Sequence, residues 1–283
     1  MITLRAKIEE TLEKLLGEKV SGELYDAMAY SLLSGGKRVR PLLYLLHLSE
    51  FQQPTEEDFA FAATIEMIHC YSLIHDDLPA MDDDDLRRGK PTNHKVYGEA
   101  MAILAGDALL NLAYEICFDL AEKDPVFIQL GKALSEAAGG SGMIYGQVLD
   151  MLYEGKKMTE SQLYSMLRGK TGGLIALPIL AAAIRSNRPD KSLEFWTKMG
   201  YELGLAFQVK DDLLDRDSTA EVLGKTPGKD AKAQKNSFVE FYGYESAQEQ
   251  YQHMVQGIFN QLDMLSNDKT IEEFYKALLE RKY

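Results

Sequence analysis

Two clusters of aspartate are the residues of this chain best suited to chemistry. The first lies in HDDLPAMDDDDLRRGK, residues 75–90, where six aspartates fall within ten positions. The second is DDLLD, residues 211–215. Carboxylates this close repel one another, so each cluster requires compensating cations. Clustered carboxylate oxygens favour a hard ion such as Mg²⁺, which shares its remaining coordination sites with water and substrate phosphate.

The first cluster closes a segment that predicts a buried helix. Residues 59–75 are apolar nearly all round at helical spacing, which is typical of a helix in the middle of a bundle. The C-terminal turn of a helix carries partial negative charge, so Asp76 and Asp77 are disfavoured there unless cations compensate them. Because Pro79 interrupts the helix, Asp82 can turn back towards that pair.

The second cluster has the same setting. Residues 201–209 are apolar, and Asp211, Asp212 and Asp215 follow at spacings of three and four, so they share one helix surface. Two acidic ends on two apolar helices favour an arrangement in which divalent ions join them across a shared cavity. The alternatives for the first run alone are a solvated acidic loop or neutralisation by the arginines that follow it.

Basic residues complete the candidate site. An arginine fork matches phosphate oxygens, and glycines let the chain approach an anion closely. Layers of carboxylate, Mg²⁺, phosphate and basic side chain therefore predict a diphosphate site. The candidates are Arg87 and Arg88 after the first cluster, Lys37, Arg38 and Arg40 in GGKRVRP, Lys170 and Thr171 in GKTGG, and Lys225 and Lys235 in the long loop at 216–236.

Composition sets limits on the class of protein. The chain has 283 residues, of which 46% are hydrophobic and 27% charged, which suits a soluble globular protein with a sizeable core. The net charge of -13 argues against nonspecific nucleic-acid binding. No apolar run reaches the length of a membrane span, and no signal core is evident, so we expect a cytoplasmic protein with no membrane span. The two cysteines, Cys70 and Cys117, are expected to be reduced core thiols.

Helical periodicity dominates the chain, and no linker divides it, so we expect one all-α domain over residues 1–283. Thr55 with Asp58, Thr159 with Gln162 and Thr270 with Glu273 resemble capping boxes at helix starts. We predict helices near residues 3–16, 21–33, 38–50, 56–77, 95–121, 125–138, 140–154, 160–168, 171–186, 190–215, 235–263 and 270–281.

A family resemblance follows from the motifs. DDLPAMD and DDLLD, with GGKRVRP, LRRGKPTNH, GDALL, GQVLD and FQVKDD, resemble a trans-isoprenyl diphosphate synthase, in the family's order and approximate spacing. The resemblance runs from about residue 30 to about 240 and implies an orthogonal helical bundle around a central cavity. KNSFVEFYG departs from the family's usual K-[ST]-[ST]-Y at Asn236 and Phe238.

The resemblance also implies roles. Six aspartates would bind three Mg²⁺ ions bridged to an allylic diphosphate: Asp76, Asp77, Asp82, Asp211, Asp212 and Asp215. The diphosphate oxygens would be held by Arg87, Lys170, Lys225 and Lys235, with Thr171 and Gln208 near the allylic carbons. Isopentenyl diphosphate would be held by Lys37, Arg40, His69 and Arg88. Asp76, Asp77, Asp82, Lys170, Asp211 and Asp212 would be catalytic, and Gln147 and Asp150 would face the cavity. A homodimer is expected.

Product length depends on the side chains before the first cluster. The growing tail would pass Ser72 and Tyr71, and a tyrosine there stops elongation early. Within the family, the combination of an aromatic residue at this position and four residues between Asp77 and Asp82 resembles bacterial farnesyl diphosphate synthases. This resemblance favours a fifteen-carbon product. The loop at 216–236 is the predicted lid.

Other functions stay open at this stage. A geranylgeranyl diphosphate synthase would use the same chemistry to make a longer product. A terpene cyclase would share the acidic mouth but would not need the cations for isopentenyl diphosphate. A non-catalytic subunit that modulates a longer-chain synthase usually lacks one acidic cluster, and an acidic metal-binding protein would not need the basic residues.

Overall fold

The computed structural model describes residues 1–187, 192–217, 236–265 and 269–281. This part of the chain is almost entirely helical, and its only strands form a hairpin of two residues on each side. The all-α prediction is therefore confirmed. The helices are α1 (Ile2–Lys19), α2 (Gly22–Leu32), α3 (Val39–Ser49), α4 (Glu56–Asp76), α5 (Asn93–Tyr97), α6 (Glu99–Lys123), α7 (Val126–Ala138), α8 (Met143–Leu152), α9 (Glu160–Leu167), α10 (Gly173–Arg185), α11 (Leu193–Asp217), α12 (Phe238–Tyr242), α13 (Tyr244–Leu265) and α14 (Lys269–Leu279). The strands are β1 (Leu86–Arg87) and β2 (Lys90–Pro91).

Glycines divide two of the predicted helices. The segment predicted as one helix at 95–121 is two helices, α5 and α6, because Gly98 adopts φ 84° between them. In the same way Gly243, at φ 81°, separates α12 from α13. Left-handed backbone of this kind costs a glycine little and ends a helix. Helical periodicity continues across both glycines, so the pattern alone missed the breaks.

Between α9 and α10 the chain forms one turn of π-helix, Arg168–Gly172. The sequence of this turn is RGKTG, which contains Lys170 and Thr171. A π turn inserts an extra residue into a helix and so redirects the side chains that it carries. The sequence predicts that one helix ends at residue 168 and the next begins at residue 171. The structure instead has a continuous helix through this segment, with a bulge that carries two candidate site residues.

The described residues form two compact units. The N-terminal unit comprises Met1–Ala133 with Ile184–Asn187, and the C-terminal unit comprises Leu134–Ala183 with the described residues from 192 onward. The prediction of a single domain stays a prediction.

Helix α4 is the centre of the N-terminal unit and packs against α1, α2, α3 and α6. Most of its side chains are buried, which confirms the prediction from its apolar sequence. Its start is the predicted capping box: Thr55 accepts from the Asp58 amide, and Asp58 accepts from the Thr55 amide at 2.9 Å. The buried Asp58 also accepts from Arg185 at 2.7 Å and from Tyr44 at 3.1 Å, so a carboxylate in the core is fully compensated.

The C-terminal unit has its own core. Apolar side chains of α8, α9, α11, α12 and α13 meet in one cluster, which includes Leu163, Val209 and Phe238. Thr159 and Gln162 form the second predicted capping box at the start of α9. Helix α14 begins at Lys269, so Thr270 lies inside it and the third predicted start is one residue late.

Two stretches of the described residues are long and apolar enough for a membrane span by length and composition, Glu99–Lys123 and Glu160–Arg185. The second is 67% buried inside the protein and the first 44%. Helices of a protein core pass the same test, so this is weak support for a span.

Both cysteines are free and buried, as predicted. Burial raises the pKa of the Cys70 thiol to about 12 and that of the Cys117 thiol to about 11. A thiol with such a pKa remains protonated and unreactive at neutral pH. Packing therefore accounts for both residues.

Helix α6 holds the end of α4 at a glycine. The His75 imidazole lies against Gly106, where a Cβ would be 2.2 Å from Nε2, and that nitrogen is 3.1 Å from the Ile103 carbonyl oxygen. His75 immediately precedes Asp76. The GDALL motif thus contains the glycine that lets the two helices approach where the first acidic cluster begins.

We predict that Gly106→Ala has a free energy of unfolding about 1–3 kcal/mol below that of Gly17→Ala, because both variants gain helix propensity but only the methyl group at position 106 overlaps the His75 ring. Urea denaturation measures the change. Gly17→Ala is the matched control, because a Cβ there meets no atom within 4 Å in α1. In the double variant His75→Ala/Gly106→Ala, the loss in free energy of unfolding should be smaller than the sum of the losses in the two single variants. Additive losses would show that the two residues do not interact.

Candidate active site

The first acidic cluster folds back on the end of α4. Asp76 is the last residue of the helix and Asp77 is its C-cap. The Asp82 amide donates to the Asp76 carbonyl oxygen at 2.9 Å, and the Asp84 amide donates to the Asp77 carbonyl oxygen at 3.2 Å. These bonds confirm that the chain turns back after Pro79. They also satisfy carbonyl groups that the end of a helix leaves without partners.

Arginine and lysine side chains compensate part of this cluster directly. The Arg87 guanidinium donates to both carboxylate oxygens of Asp77, with Nε at 2.7 Å and 2.9 Å. Lys95 pairs with Asp85 at 2.8 Å. Asp77 is nearly buried, so the Arg87 contact offsets a desolvated charge. The alternative interpretation, neutralisation by the following arginines, therefore applies to Asp77.

The hairpin β1–β2 brings the second arginine to the glycine motif. Arg88 occupies its turn with φ 54° and donates to the Gly35 carbonyl oxygen, 53 residues away in the sequence. A Cβ at Gly36 would lie 2.7 Å from the Arg88 guanidinium, and the φ of 134° at this position also favours glycine. GGKRVRP and LRRGK therefore meet. A hairpin of four paired residues has too short a pattern to be predicted from alternation.

A basic pocket lies in the N-terminal unit. We use this name for the pocket whose wall includes His69, Arg87, Arg88 and Lys90. Burial, and then the positive charges of Arg40, Arg88, Arg87 and Arg38, lower the pKa of His69 well below its ordinary value. The imidazole is half-buried, so it remains within reach of a ligand in the pocket. A neutral histidine among arginines can donate a hydrogen bond to a phosphate oxygen at neutral pH.

The structure separates the three cations of GGKRVRP. Arg40 acts on His69 through its charge, and Lys37 is exposed. Arg38, grouped with them in the sequence, is instead buried and pairs with Glu66 at 2.8 Å and with Glu9 at 2.8 Å. Its role is therefore structural, since its donors are engaged by carboxylates of α1 and α4.

In the C-terminal unit, the π turn presents Lys170 and Thr171. Lys170 Nζ donates to Asp150 of α8 at 2.5 Å, which brings GKTGG and GQVLD together. Thr171 Oγ1 donates to the Gln208 side-chain oxygen at 2.6 Å. Gln208 Nε2 in turn donates to Asp212 Oδ1 at 2.9 Å. A chain of hydrogen bonds therefore links the π turn to the second acidic cluster.

Glycines allow this close packing. A Cβ at Gly146 of α8 would lie 2.0 Å from the Lys170 backbone nitrogen. A Cβ at Gly204 of α11 would lie 2.7 Å from the Gly172 Cα. The π turn is thus held between two helices whose backbones touch it, and larger side chains would displace Lys170 and Thr171.

The second acidic cluster is crowded. Asp212 accepts from Gln208 at one oxygen and from the Phe238 amide at the other, the latter at 2.7 Å. The pKa of Asp212 is raised to about 7, chiefly by burial and also by the carboxylates of Asp211 and Asp215. Asp211 accepts from Arg281 at 2.5 Å. No sequence motif marks Arg281 as a site residue, and its partner lies 70 residues away in the chain.

The departures from the family pattern have structural roles. The Asn236 side-chain amide donates to the carbonyl oxygens of Tyr153 and Lys156 at 2.8 Å and 3.0 Å. The ring of Phe238 is fully buried against Tyr164 and Tyr242. A tyrosine hydroxyl is not needed at this position, because it is the backbone of Phe238 that contacts the second acidic cluster.

The candidate chain-length residues lie on α4. Tyr71 is buried, with its ring edge-on to His75 at 5.8 Å between ring centres, and its hydroxyl has no hydrogen-bond partner among the described residues. Ser72 donates to the His69 carbonyl oxygen at 2.9 Å.

In α8, neither amide atom of Gln147 has a partner among the described residues. A buried polar group of this kind is suited to a ligand or an ordered water.

The donor atoms of the two acidic clusters suit a hard cation. Among the described residues, no three His, Cys, Asp or Glu side chains are already gathered around a metal position. Each cluster nevertheless offers hard carboxylate oxygens only, and the two hydrogen-bond donors to Asp212, the Gln208 amide and the Phe238 backbone, are both neutral. These residues fit Mg²⁺.

Two predicted site residues, Lys225 and Lys235, lie outside the described residues, as does most of the predicted lid at 216–236. That the two acidic clusters face each other across one cavity stays a prediction.

Comparison with known proteins places the chain in a family. The family model described as polyprenyl synthetase matches residues 21–278. This chain belongs to the polyprenyl synthetase family. It is 45% identical to a farnesyl diphosphate synthase of Micrococcus luteus over 80% of this chain and 78% of that protein. It is 40% identical to a geranylgeranyl diphosphate synthase of Cyanophora paradoxa over 88% of this chain and 84% of that protein.

Solved structures show the same fold. A Helicobacter pylori geranyltransferase complexed with magnesium and isoprenyl diphosphate superposes with a TM-score of 0.85 at 33% identity, covering 99% of this chain and 96% of that one. The predicted fold, of the isoprenoid synthase type, is thereby confirmed for this polyprenyl synthetase.

We predict a stability change with pH from His69. Because its folded-state pKa is depressed, the unfolded chain takes up a proton first as the pH falls below about 6.5. The free energy of unfolding should therefore fall by up to about 1.4 kcal/mol per pH unit below that point through this residue alone. Urea denaturation between about pH 7.5 and about pH 5 should show a shallower decline for His69→Gln than for the wild type. The exposed His253→Gln is the control and should follow the wild-type profile, and equal slopes in all three proteins would contradict the prediction.

Proposed function

We propose that this protein is a trans-prenyltransferase that condenses isopentenyl diphosphate with dimethylallyl and then geranyl diphosphate to make farnesyl diphosphate. The observation that carries the proposal is the basic pocket beside the first acidic cluster. Asp77 and His69 lie on the same helix, and both line the pocket with Arg87 and Arg88. A site for a metal-bound diphosphate and a site for a second, metal-free diphosphate would then be adjacent, as a two-substrate transferase requires.

The basic pocket suits the diphosphate of isopentenyl diphosphate. Arg88 and Arg40 supply charge, and His69 can donate while neutral. Lys37, on the glycine loop that contacts Arg88, completes this proposed set. A terpene cyclase has no second diphosphate to bind, so the pocket favours a transferase over a cyclase.

The allylic diphosphate is assigned to the acidic clusters. Asp76, Asp77 and Asp82 would hold its cations on one side, and Asp211, Asp212 and Asp215 on the other. Arg87 and Lys170 would contact its oxygens, with Lys225 and Lys235 from the lid segment. When bound, Mg²⁺ supplies positive charge that stabilises the departing diphosphate; we propose three ions per site.

The reaction has three steps, and the chain's own residues act in the first two. Lys170 and Arg87 stabilise negative charge as the allylic C–O bond ionises. Thr171 and Gln208 present oxygen atoms near the developing allylic cation, which the isopentenyl double bond attacks. The proton lost from the resulting tertiary cation goes to the released diphosphate, so no protein base is required. Exclusion of water protects the cation from hydrolysis.

We predict Mg²⁺-dependent formation of farnesyl diphosphate from isopentenyl and dimethylallyl diphosphates. Product chromatography should show this product with Mg²⁺ and background levels with a chelator. Asp76→Asn should reduce kcat/KM by roughly a hundredfold or more, because one carboxylate ligand is lost.

Asp83→Asn is the matched control. Asp83 belongs to the same acidic run but is exposed and has φ 50°, which asparagine tolerates, so its variant should retain most activity. Turnover that proceeds without isopentenyl diphosphate would favour a cyclase, and metal-independent condensation would overturn the proposal.

Tyr71 is the proposed floor for the growing chain. Its ring is buried on α4, between one and two turns before Asp76, which is about 7.5 Å along the helix axis. Ser72, the next residue, is small and half-buried. A tail that extends from the acidic cluster into the protein would therefore meet the tyrosine ring after a fixed length.

We predict that Tyr71→Ala shifts the main product towards geranylgeranyl diphosphate. Tyr71→Phe should leave the product length unchanged, because it keeps the ring and removes a hydroxyl that has no partner among the described residues. Chromatography of products at equal conversion gives the ratio of chain lengths. If wild type and Tyr71→Ala make the same product, another residue sets the length.

A geranylgeranyl product is the second candidate. The specific observation in its favour is that relatives named geranylgeranyl diphosphate synthase are as similar, at 40% identity, as some named farnesyl diphosphate synthase. The buried Tyr71 favours the shorter product.

A homodimer is also proposed. On α6, Leu104 and Phe118 are 55% and 72% exposed and lie about four turns apart on one face. Large apolar side chains exposed along one helix favour contact with another protein surface, and a second copy of this chain is the partner that the family resemblance implies. We place this enzyme in the cytoplasm.

A further inference from the structure

Arg281 connects the last described helix to the second acidic cluster. It follows α14, and its guanidinium donates to Asp211 Oδ1 at 2.5 Å and to the Phe207 carbonyl oxygen at 3.1 Å. The same group lies 4.1 Å from the centre of the Phe207 ring. The Arg281 side chain is only 8% exposed, whereas that of Asp211 is 41% exposed. The arginine is therefore fixed beneath a carboxylate that solvent and ions can reach.

The position of Arg281 is set by the helix before it. Helix α14 buries Ile271, Tyr275 and Leu279 on one face. The Tyr251 hydroxyl of α13 donates to the Leu279 carbonyl oxygen, and burial raises the pKa of this tyrosine to about 12, so the donor stays protonated. The packed end of α14 therefore fixes where the Arg281 side chain begins, and from there its guanidinium reaches Asp211.

Asp211 and Asp212 are compensated in different ways. Asp212 accepts hydrogen bonds from two neutral donors, the Gln208 amide and the Phe238 backbone. Asp211 accepts from a cation. A divalent ion that coordinates Asp211 would lie close to the guanidinium, and the two positive charges would repel each other and compete for the same carboxylate.

We propose that Arg281 is a positioning residue that holds Asp211 in the ion-free protein and competes with the divalent cation for it. A diphosphate adds negative charge and reverses this balance, so the cation binds well only together with the substrate. Binding at the cluster is then coupled to the end of α14. The inference rests on the proposed function only in assigning Asp211 to a cation.

The test is a calorimetric titration of the protein with Mg²⁺ in the absence of any diphosphate. Arg281→Met should bind Mg²⁺ roughly fivefold to tenfold more tightly than the wild type, because the competing charge is gone. Arg281→Lys, which keeps the charge but not the fork, should fall between them. Equal or weaker Mg²⁺ binding by Arg281→Met would overturn the proposal.

Arg216→Met is the matched control. Arg216 is also a cation beside this cluster, at the end of α11, but it pairs with Glu240 at 3.7 Å on the surface. Loss of charge alone would raise Mg²⁺ affinity equally in both variants. The proposal requires a clearly larger effect at Arg281.

A second measurement reports the coupling and does not depend on catalysis. Hydrogen exchange of backbone amides in residues 275–281 should become faster in the wild type when Mg²⁺ and inorganic pyrophosphate are added, because Arg281 releases Asp211. Arg281→Met should show fast exchange already without the ion. Unchanged exchange in the wild type would overturn the coupling, even if the protein lacked prenyltransferase activity.

Discussion

Repulsion between carboxylates at the ends of buried helices is the constraint on which this structure depends. Helix α4 ends at Asp76 and Asp77, and α11 carries the whole second acidic cluster in its last turns. Neither the helix dipole nor the apolar surroundings favour these charges. The protein's own cations offset part of this repulsion, Arg87 at Asp77 and Arg281 at Asp211. In each acidic cluster, therefore, one aspartate is paired with an arginine, and a bound cation would have to share that aspartate with it.

The two arginines differ in what holds them. Arg87 is on a short hairpin, next to Arg88, which packs on Gly35 and Gly36. Arg281 is held by a whole helix with a buried face. A hairpin of two short strands can adjust at little cost, whereas the end of α14 is tied to a core. This difference is why a substituted Arg281 is expected to affect ion binding and the end of α14 together.

Glycines position the proposed catalytic groups at several places. Gly106 accommodates His75 behind the first cluster, and Gly146 and Gly204 accommodate the π turn that carries Lys170. At each point a side chain would overlap backbone or a packed ring. GQVLD and GKTGG thus combine a candidate site residue with a glycine that lets a neighbouring helix approach, and the glycine of GDALL lets α6 approach the end of α4. From sequence, their glycines could be noted but not assigned partners.

Much of the fold followed from periodicity. The helices, the buried nature of α4, two capping boxes and the turn of Asp82 towards Asp76 were all predicted, because they depend on residues close in the sequence. The breaks at Gly98 and Gly243 were missed, since helical spacing continues through them, and a break was predicted at residues 168–171, where the structure has a π turn. The β1–β2 hairpin is too short to produce a pattern.

The sequence by itself predicted the chemical class: two carboxylate clusters on apolar helices, with basic residues at fixed spacing, favour binding of a diphosphate with divalent cations. Only the tertiary structure decided which cation meets which acid. Arg38 was grouped with the site but belongs to a buried ion pair, and Arg281 was overlooked but contacts Asp211. The physical reason is that residue type and local spacing set what a group can do, while its partner is chosen by packing between segments distant in the chain.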